Sequence, residues 1–567
     1  MMLYCLPGMA QNSNDAREVT STYFLKKAFV VQKPGTIMSN TSVLIKDGMI
    51  SAVGQNIEPP FDAMIIDADS MYIYAGFIDM ASHTGIPKKE NSSANNQSNR
   101  PANPGNPSNE EAGITPEKKV IDDISMSDKS IAEMRKNGFT ISHVVPEGRM
   151  LPGRGALISL GEGHKDHMVI NDESSLFAQW KSSRGAFPST IIGMIAKWRD
   201  LYHNAENYHD YSQKYAMSPA GKPRPAADAA TQSLVPVVEG KLPVFMVANK
   251  VLDIHKTISL QKELGFPLVL TEVEQAYPVI DKIKEMNIPV LLSIDLPKEI
   301  KEDKKKEAPK SEEKGADAKV DDKMDKEKKE EDPETKALKE RKKKAYMDYL
   351  NQAGNMEKNG IAFAFSFIDG KVKDFKTNIQ RMIKNGLSED AALSAVTTTP
   401  ASMLGIQTNY GTVEKGKMAH LVVTDKPYFE ENSNIRYVFV DGNKFEYEVK
   451  KKKKPASNGE MVKVGGKWSY EIEIPGMTRG GNFKITQEEG EVSVQMSGED
   501  SPEEYLDCTG TSLDGDNLTF DAAINENGMS FDLSFDLTVD GDSIEGTVNV
   551  GQFGSFPVTG SKVSTPE

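Results

Sequence analysis

Histidine and cysteine are scarce in this chain, eight and two in 567 residues, so a site built on metal ligands or an imidazole base has few places to form. His164 and His167 stand three apart in Gly-Glu-Gly-His-Lys-Asp-His, a pair of types that can bind divalent metals, but the segment is hydrophilic and turn-like and reads as a solvated loop. His143 closes the run Thr140-Ile141-Ser142 and is a candidate pocket-lining residue at a strand end; the commoner fate of such a residue is a hydrogen-bonded core or rim position. His203 and His209 fall in a stretch rich in Tyr and Asn and read as helix surface. Catalytic signatures complete in themselves are missing: there is no Gly-x-Ser-x-Gly elbow, no phosphate-binding glycine loop with its lysine, and no zinc-ribbon cysteine spacing. Gly153-Arg154-Gly155 reads as a turn.

Chemistry must therefore come from residues that a fold brings together. Residues 22–75 alternate apolar and polar in short runs, with Lys46-Asp47-Gly48 as a hairpin turn, which predicts a small β-unit. From 76 to 405 short apolar runs alternate with helical stretches: Val244-Phe245-Met246-Val247, a helix over 251–264, Leu268-Val269-Leu270, a helix over 274–286, then Pro289-Val290-Leu291-Leu292. This spacing predicts βαβ units and a parallel sheet buried on both faces. Two insertions interrupt it. Residues 88–119 are rich in Asn, Ser, Pro and Gly, and 298–344 are almost all Lys, Glu, Asp and Ala; neither holds enough apolar surface to offset the entropy of ordering, so both are expected to be disordered or loosely helical.

Residues 406–449 return to short strands, and Lys450 to Lys454 followed by Pro455 open a linker over 450–460. In 461–567, Trp468, Tyr470, Ile472 and Ile474 alternate, as do Phe531, Leu533, Phe535, Leu537 and Val539, with Asp514-Gly515 and Asp540-Gly541 as turns. An antiparallel domain is expected there, a β-sandwich or small barrel.

A formal charge of −15 argues against a nucleic-acid partner, because neutralising phosphates takes clustered Lys and Arg on a basic surface. No segment approaches the roughly 20 apolar residues needed to span a bilayer, so no membrane span is expected. The opening Met-Met-Leu-Tyr-Cys-Leu-Pro-Gly-Met-Ala-Gln, within residues 1–21, reads as a remnant of an export signal or as a loose terminus. Cleavage after Ala10 or Gln11 would leave Cys508 as the one thiol, with no internal disulfide, in a periplasmic or otherwise exported protein; without an export signal the chain would be cytoplasmic.

The segment Ile45-Lys46-Asp47-Gly48-Met49-Ile50-Ser51-Ala52-Val53-Gly54 with Ala75-Gly76-Phe77-Ile78-Asp79 resembles the opening of the amidohydrolase superfamily. Gly386-Leu387-Ser388, Val396-Thr397, Pro400-Ala401 and Gly411-Thr412-Val413-Glu414-Lys415-Gly416-Lys417 resemble its closing signature. The resemblance covers about 22 to 445, and Pro188-Ser189-Thr190 with Leu234 through Val244 is most similar to the imidazolonepropionase-like branch. It implies an α/β fold: a metal-dependent-hydrolase-type (β/α)8 barrel over 76–405, with a composite β-domain from 22–75 and 406–449.

It also implies one or two divalent metals at the C-terminal ends of the barrel strands, lowering the pKa of a bound water to make hydroxide. The family's ligands are two His spaced i, i+2 on the first strand, His on the fifth and sixth, and Asp on the eighth; alternate strand residues point to one face. The first pair falls on Ala81 and His83, and the fifth-strand His on Val247. The sixth strand offers only Thr271 and Glu272, and the eighth ends in Asp369, one residue beyond the expected place, which on a strand is the opposite face. His83, Glu272 and Asp369 are thus the candidate metal ligands, with Asp369 also the candidate catalytic acid, against the three ligands a catalytic site generally needs. His420 stands where the family usually has Asp, far from the mouth.

Two expectations follow. One is an amidohydrolase-like protein that has lost its metal and cofactor and acts as a scaffold, a ligand-binding module, a homo-oligomer, or the partner of a catalytic amidohydrolase. The other is an active hydrolase of non-peptide carbon–nitrogen bonds, of cyclic amide or dipeptide type, using one divalent metal such as zinc at a nonstandard site.

Overall fold

The computed structural model of the chain describes residues 21–87, 101, 103–183, 185–226, 228–297, 333–447, 463–474, 477–488, 491–499, 501–526, 529–550 and 554–563. Two compact units are distinguished, 1–449 and 450–567. The proposed export segment and the linker 450–460 lie outside the described residues.

Eight strands make the central sheet of the first unit, in sequence order across it: β1 (Phe77–Ser82), β2 (Phe139–Val144), β3 (Gly153–Ser159), β4 (Val169–Gln179), β5 (Val244–Val247), β6 (Leu268–Val273), β7 (Val290–Ser293) and β8 (Phe363–Ser366). β8 returns to β1, where the Phe367 amide donates to the Ala81 carbonyl at 2.8 Å, so the sheet is nearly closed into a barrel. The apolar runs show no polar alternation because both faces are covered. Leu268 and Leu270 face the surrounding helices, while Val269 points inward with Met80, Ala81, Phe177, Phe245, Leu291 and Ala364 to fill the interior. The helices outside are α1 (Lys129–Lys136), α2 (Lys165–Met168), α3 (Ile191–Met217), α4 (Ala229–Val238), α5 (Val251–Leu264), α6 (Ile280–Glu285), α7 (Pro333–Asn359) and α8 (Phe375–Lys384).

The expected (β/α)8 repeat holds for seven strands and fails at one. β3 runs antiparallel to both β2 and β4, and no helix joins β2 to β3. The links 145–152 and 160–168 are shorter than the dozen or so residues a parallel crossover requires, so the chain can only fold straight back.

Part of the first expected insertion is core. Ala112 and Ile114 are buried, Ile114 bridges to Leu151 and Lys119 to Arg154. The short apolar group within a polar stretch is what anchors 103–119; residues 88–100 lie outside the described residues. Of the charged insertion, 298–332 lie outside them and the remainder begins α7.

Both flanks of the barrel enter one eight-stranded sheet. Leu421–Thr424 pairs antiparallel with Tyr72–Ala75, and Tyr72–Ala75 pairs with Tyr23–Lys33, the strand beside Thr36–Lys46. Thr36–Lys46 and Met49–Gly54 are joined by Asp47 and Gly48, at φ of 53° and 74°, the two left-handed residues that a type I′ hairpin needs.

The second unit is one antiparallel sheet of nine strands, whose first long strand, Gly466–Ile474, pairs with the last, Ser555–Lys562. A β-sandwich or small barrel is expected there; the strands form a single sheet. Phe483 and Phe520 stack edge to face at 5.3 Å although four strands separate theirs in the sheet. At about 4.8 Å per strand, that contact requires the sheet to roll so that its apolar face closes on itself. Among the described residues, no helix is long and apolar enough to cross a membrane.

Candidate functional site

The C-terminal ends of the parallel strands form the barrel mouth, where loops after the strands carry side chains inward. β1 ends at His83, half-buried, whose Nδ1 lies 2.8 Å from the Val145 carbonyl. A carbonyl accepts only, so Nδ1 carries a proton. The i−2 neighbour is Ala81, a methyl that packs with Val145 and Phe245 and donates nothing.

Glu272 is brought to the mouth by a break in the β6 ladder. Leu270 pairs with Val290 and Val273 with Leu292, three steps on β6 against two on β7, and Glu272 sits at φ 53°. This is a bulge whose left-handed position is filled by a residue that strongly prefers φ below zero, and bulges re-aim side chains where they occur. The carboxyl, with no exposed surface, accepts the Ser366 hydroxyl on β8 at Oε2, with Ser293 on β7 beside it. Burial pushes its pKa up to about 7, against the hydroxyls of Ser293 and Ser366, with Asp369 and Glu274 adding to the rise. Its Oε1 has no hydrogen-bond partner.

Asp369 does not join this cluster. Asp369 lies three residues past the end of β8 and is exposed. Its charge still reaches Glu272. Val247 packs into the apolar interior at the fifth strand. Among the described residues, no three His, Cys, Asp or Glu side chains converge as a metal ion would require. The donor set therefore does not fit the metal centre that the fold implies: methyl groups stand at two ligand places, and at a third a carboxyl is tied to serines.

His143 is fully buried, one residue before the C-terminal end of β2. Its Nδ1 lies 2.7 Å from the Met80 carbonyl and its Nε2 2.9 Å from Ser175 Oγ, with Phe245 edge-on at 4.6 Å. Burial lowers its pKa to about 4, so the ring is neutral, donating from Nδ1 and accepting at Nε2. His164 is exposed, where it caps α2 through Asp166, and His203 and His209 lie on α3, His203 bonded to Glu206. His420 is buried in the flanking sheet, 2.9 Å from Asp441.

Three groups at or near the mouth escaped the sequence reading. Ser293 and Ser366 are paired across β7 and β8, each two residues on from an inward apolar residue, Leu291 or Ala364; a polar residue in phase with an inward run was the available signal. Tyr349 of α7 donates its hydroxyl to the Asp295 carbonyl at 2.9 Å beside the same carboxylates; nothing local in a charged helix marks it. Lower on β1, Asp79 is buried and accepts from Ser82, Ser142 and the Ala81 amide, and burial raises its pKa to about 6.

The amidohydrolase family model matches residues 350–445, from α7 through β8 into the flanking sheet. Amidohydrolase tasK of Hapsidospora irregularis is 22% identical over 255 residues, 40% of this chain and 25% of that protein. A dihydroorotase of Anaeromyxobacter dehalogenans is 28% identical over 72 residues, 13% of this chain and 17% of its own. The chain thus spans a quarter or less of these curated relatives. An amidohydrolase crystal structure from Thermotoga maritima MSB8 superposes with a TM-score of 0.57 at 23% identity, covering 75% of this chain and 100% of that one. That likeness gives the chain the amidohydrolase fold, and the family match lies within the closing part of the same unit.

Proposed function

We propose that this amidohydrolase-fold chain works as a ligand-binding module or scaffold, without the metal-dependent hydrolysis for which such barrels are built, and that it descends from the imidazolonepropionase-like branch. Fold alone assigns no reaction, because function lives in the site. The observation that carries the reading is the replacement of donors at the mouth: Ala81 and Val247 supply none, and Glu272 is held by Ser366 and Ser293. A scaffold of this kind acts through a partner, either a catalytic amidohydrolase or a second copy of the chain, and an exported location is part of the same proposal.

The test is elemental analysis of the purified full chain after reconstitution with zinc, with His83→Ala as control. The expected result is no stoichiometric metal in either protein. About one ion per chain, lost in the variant, would overturn the proposal.

The second reading, a mononuclear hydrolase of cyclic amides or dipeptides, is favoured by one feature. Nδ1 of His83 donates to the Val145 carbonyl, the backbone contact by which a metal-binding imidazole is commonly oriented. Turnover abolished by His83→Ala would establish it.

A further inference from the structure

We infer that the second unit binds a neutral, hydroxyl-rich ligand, a short stretch of glycan chain, in a trough on the outer face of its rolled sheet. The trough belongs to that unit alone, so the inference is independent of what the barrel mouth holds.

Trp468, Tyr470 and Ile472 of Gly466–Ile474 fill the core, which sends the alternate residues Ser469 and Glu471 outward. On the two neighbouring strands the register puts Ser561 and Asn482 beside Ser469, and Thr559 and Gly480 beside Glu471. These residues line an open cavity of about 680 Å³ whose far wall is Glu499 and Pro502. The wall is held in place: Ser497 is buried and donates its hydroxyl to the Pro502 carbonyl at 3.2 Å, and the Ser501 amide donates to the Gly498 carbonyl. The depth comes from Gly480. A Cβ there would stand 3.3 Å from the Tyr470 carbonyl and 3.8 Å from Glu499 Oε2, so a larger residue would fill the trough.

The lining selects the ligand. Small-ligand cavities of this size are mostly apolar, whereas hydroxyl, carboxamide and carboxylate groups dominate here, with Pro502 and the inward-turned Tyr470 as exceptions. An apolar molecule would gain little by entering. Glu471 and Glu499 line the trough and no Lys, Arg or His does, so an anion is repelled. Among the described residues, no three His, Cys, Asp or Glu side chains gather to hold a metal ion. What fits is an uncharged ligand with many hydroxyls. The carboxylates accept from such hydroxyls, the Asn482 amide both donates and accepts, and Ser469 and Thr559 can do either. Glu471, Asn482, Glu499 and Thr559 are committed to no hydrogen bond or ion pair among the described residues, while Ser469 and Ser561 lie 3.2 Å apart at their hydroxyls. Crossing three neighbouring strands, the trough runs about 10 Å, longer than one sugar ring, which favours a chain over a monosaccharide.

The experiment is isothermal titration calorimetry of the full chain with cellohexaose, maltohexaose and xylohexaose, and with spermidine as a cationic probe. Saturable binding of at least one hexasaccharide is expected, and none of spermidine. Glu471→Gln preserves the shape of the trough and removes a charged acceptor, so it should weaken that binding about tenfold or more. Gly480 is not in the left-handed region, so Gly480→Val is compatible with the strand and should abolish binding by filling the trough. Unchanged emission of the buried Trp468 would show that the valine variant has folded; should it not fold, Glu471→Gln, an exposed substitution, supplies the answer. No binding of any of the three hexasaccharides, binding of spermidine alone, or hexasaccharide binding unchanged in Glu471→Gln and in folded Gly480→Val would each overturn the inference.

Discussion

Glu272 accepts a hydrogen bond from Ser366 across the mouth of the barrel, although β7 runs between their strands. The contact exists because one extra residue in β6 turns Glu272 inward, where Ser366 already points in phase with Ala364. A buried carboxyl so held is a site whose properties depend on pH, and the consequences are measurable.

The folded pKa of Glu272, about 7, lies above the ordinary carboxylate value of 4.5. The folded state therefore binds the proton more tightly, and the stability this contributes is complete below pH 4.5 and is lost as pH rises through 7. The loss amounts to about 3 kcal/mol at most, from the size of the shift. Asp79, raised from 3.8 to about 6, acts in the same direction in a lower window. Urea unfolding followed through Trp198, buried in the first unit, should show the wild type losing stability between pH 5 and 8, and Glu272→Gln losing markedly less. Parallel curves for the two proteins would contradict this account.

Ser366→Ala removes a donor from a carboxyl that has no access to water. Leaving such a group short of a partner costs about 1–3 kcal/mol, more when it is ionised. The variant should be destabilised more at pH 8 than at pH 5. A double-mutant cycle with Glu272→Gln should return a coupling of about 1 kcal/mol or more, since the two side chains touch.

His143 titrates in the opposite sense. Its folded pKa is lowered from 6.5 to about 4 by burial, so the unfolded chain binds the proton first and stability falls as pH drops from 6.5 through 4. Protonation would place a hydrogen on Nε2, which now accepts from Ser175. The expected loss reaches about 3 kcal/mol and should vanish in His143→Gln. An imidazole signal from His143 that titrates near 6.5 by NMR would refute the buried, neutral assignment.

The fold was legible where local pattern and global arrangement agree. The runs at 244–247 and 268–270 and the helix at 251–264 lie where apolar spacing predicts them, because strands buried on both faces leave an unmistakable continuous pattern. The reversal of β3 was hidden, since nothing in Gly153-Arg154-Gly155 records strand direction; only the shortness of the neighbouring links does. The site was half legible. Asp369 lies beyond the end of its strand, where alternation no longer fixes a face, and Ala81 and Val247 stand in the sequence as plain absences of donors. The inward turn of Glu272 depends on a single positive φ at a residue type that seldom takes one, which no periodicity announces.

In the second unit, Phe535 touches Tyr470, Phe483 and Phe520, rings from three other strands, and so bridges the apolar face of the rolled sheet. Phe535→Ala leaves a cavity at that junction and should cost about 3–5 kcal/mol. Because the two units have separate cores, the loss should fall on one of them. Hydrogen exchange read by mass spectrometry should rise throughout 463–563 and stay unchanged for the barrel strands, with the emission of Trp468, buried in the same core, shifting at lower urea. Equal loss of protection in β1 through β8 would show that the sheet and the barrel unfold as one cooperative body.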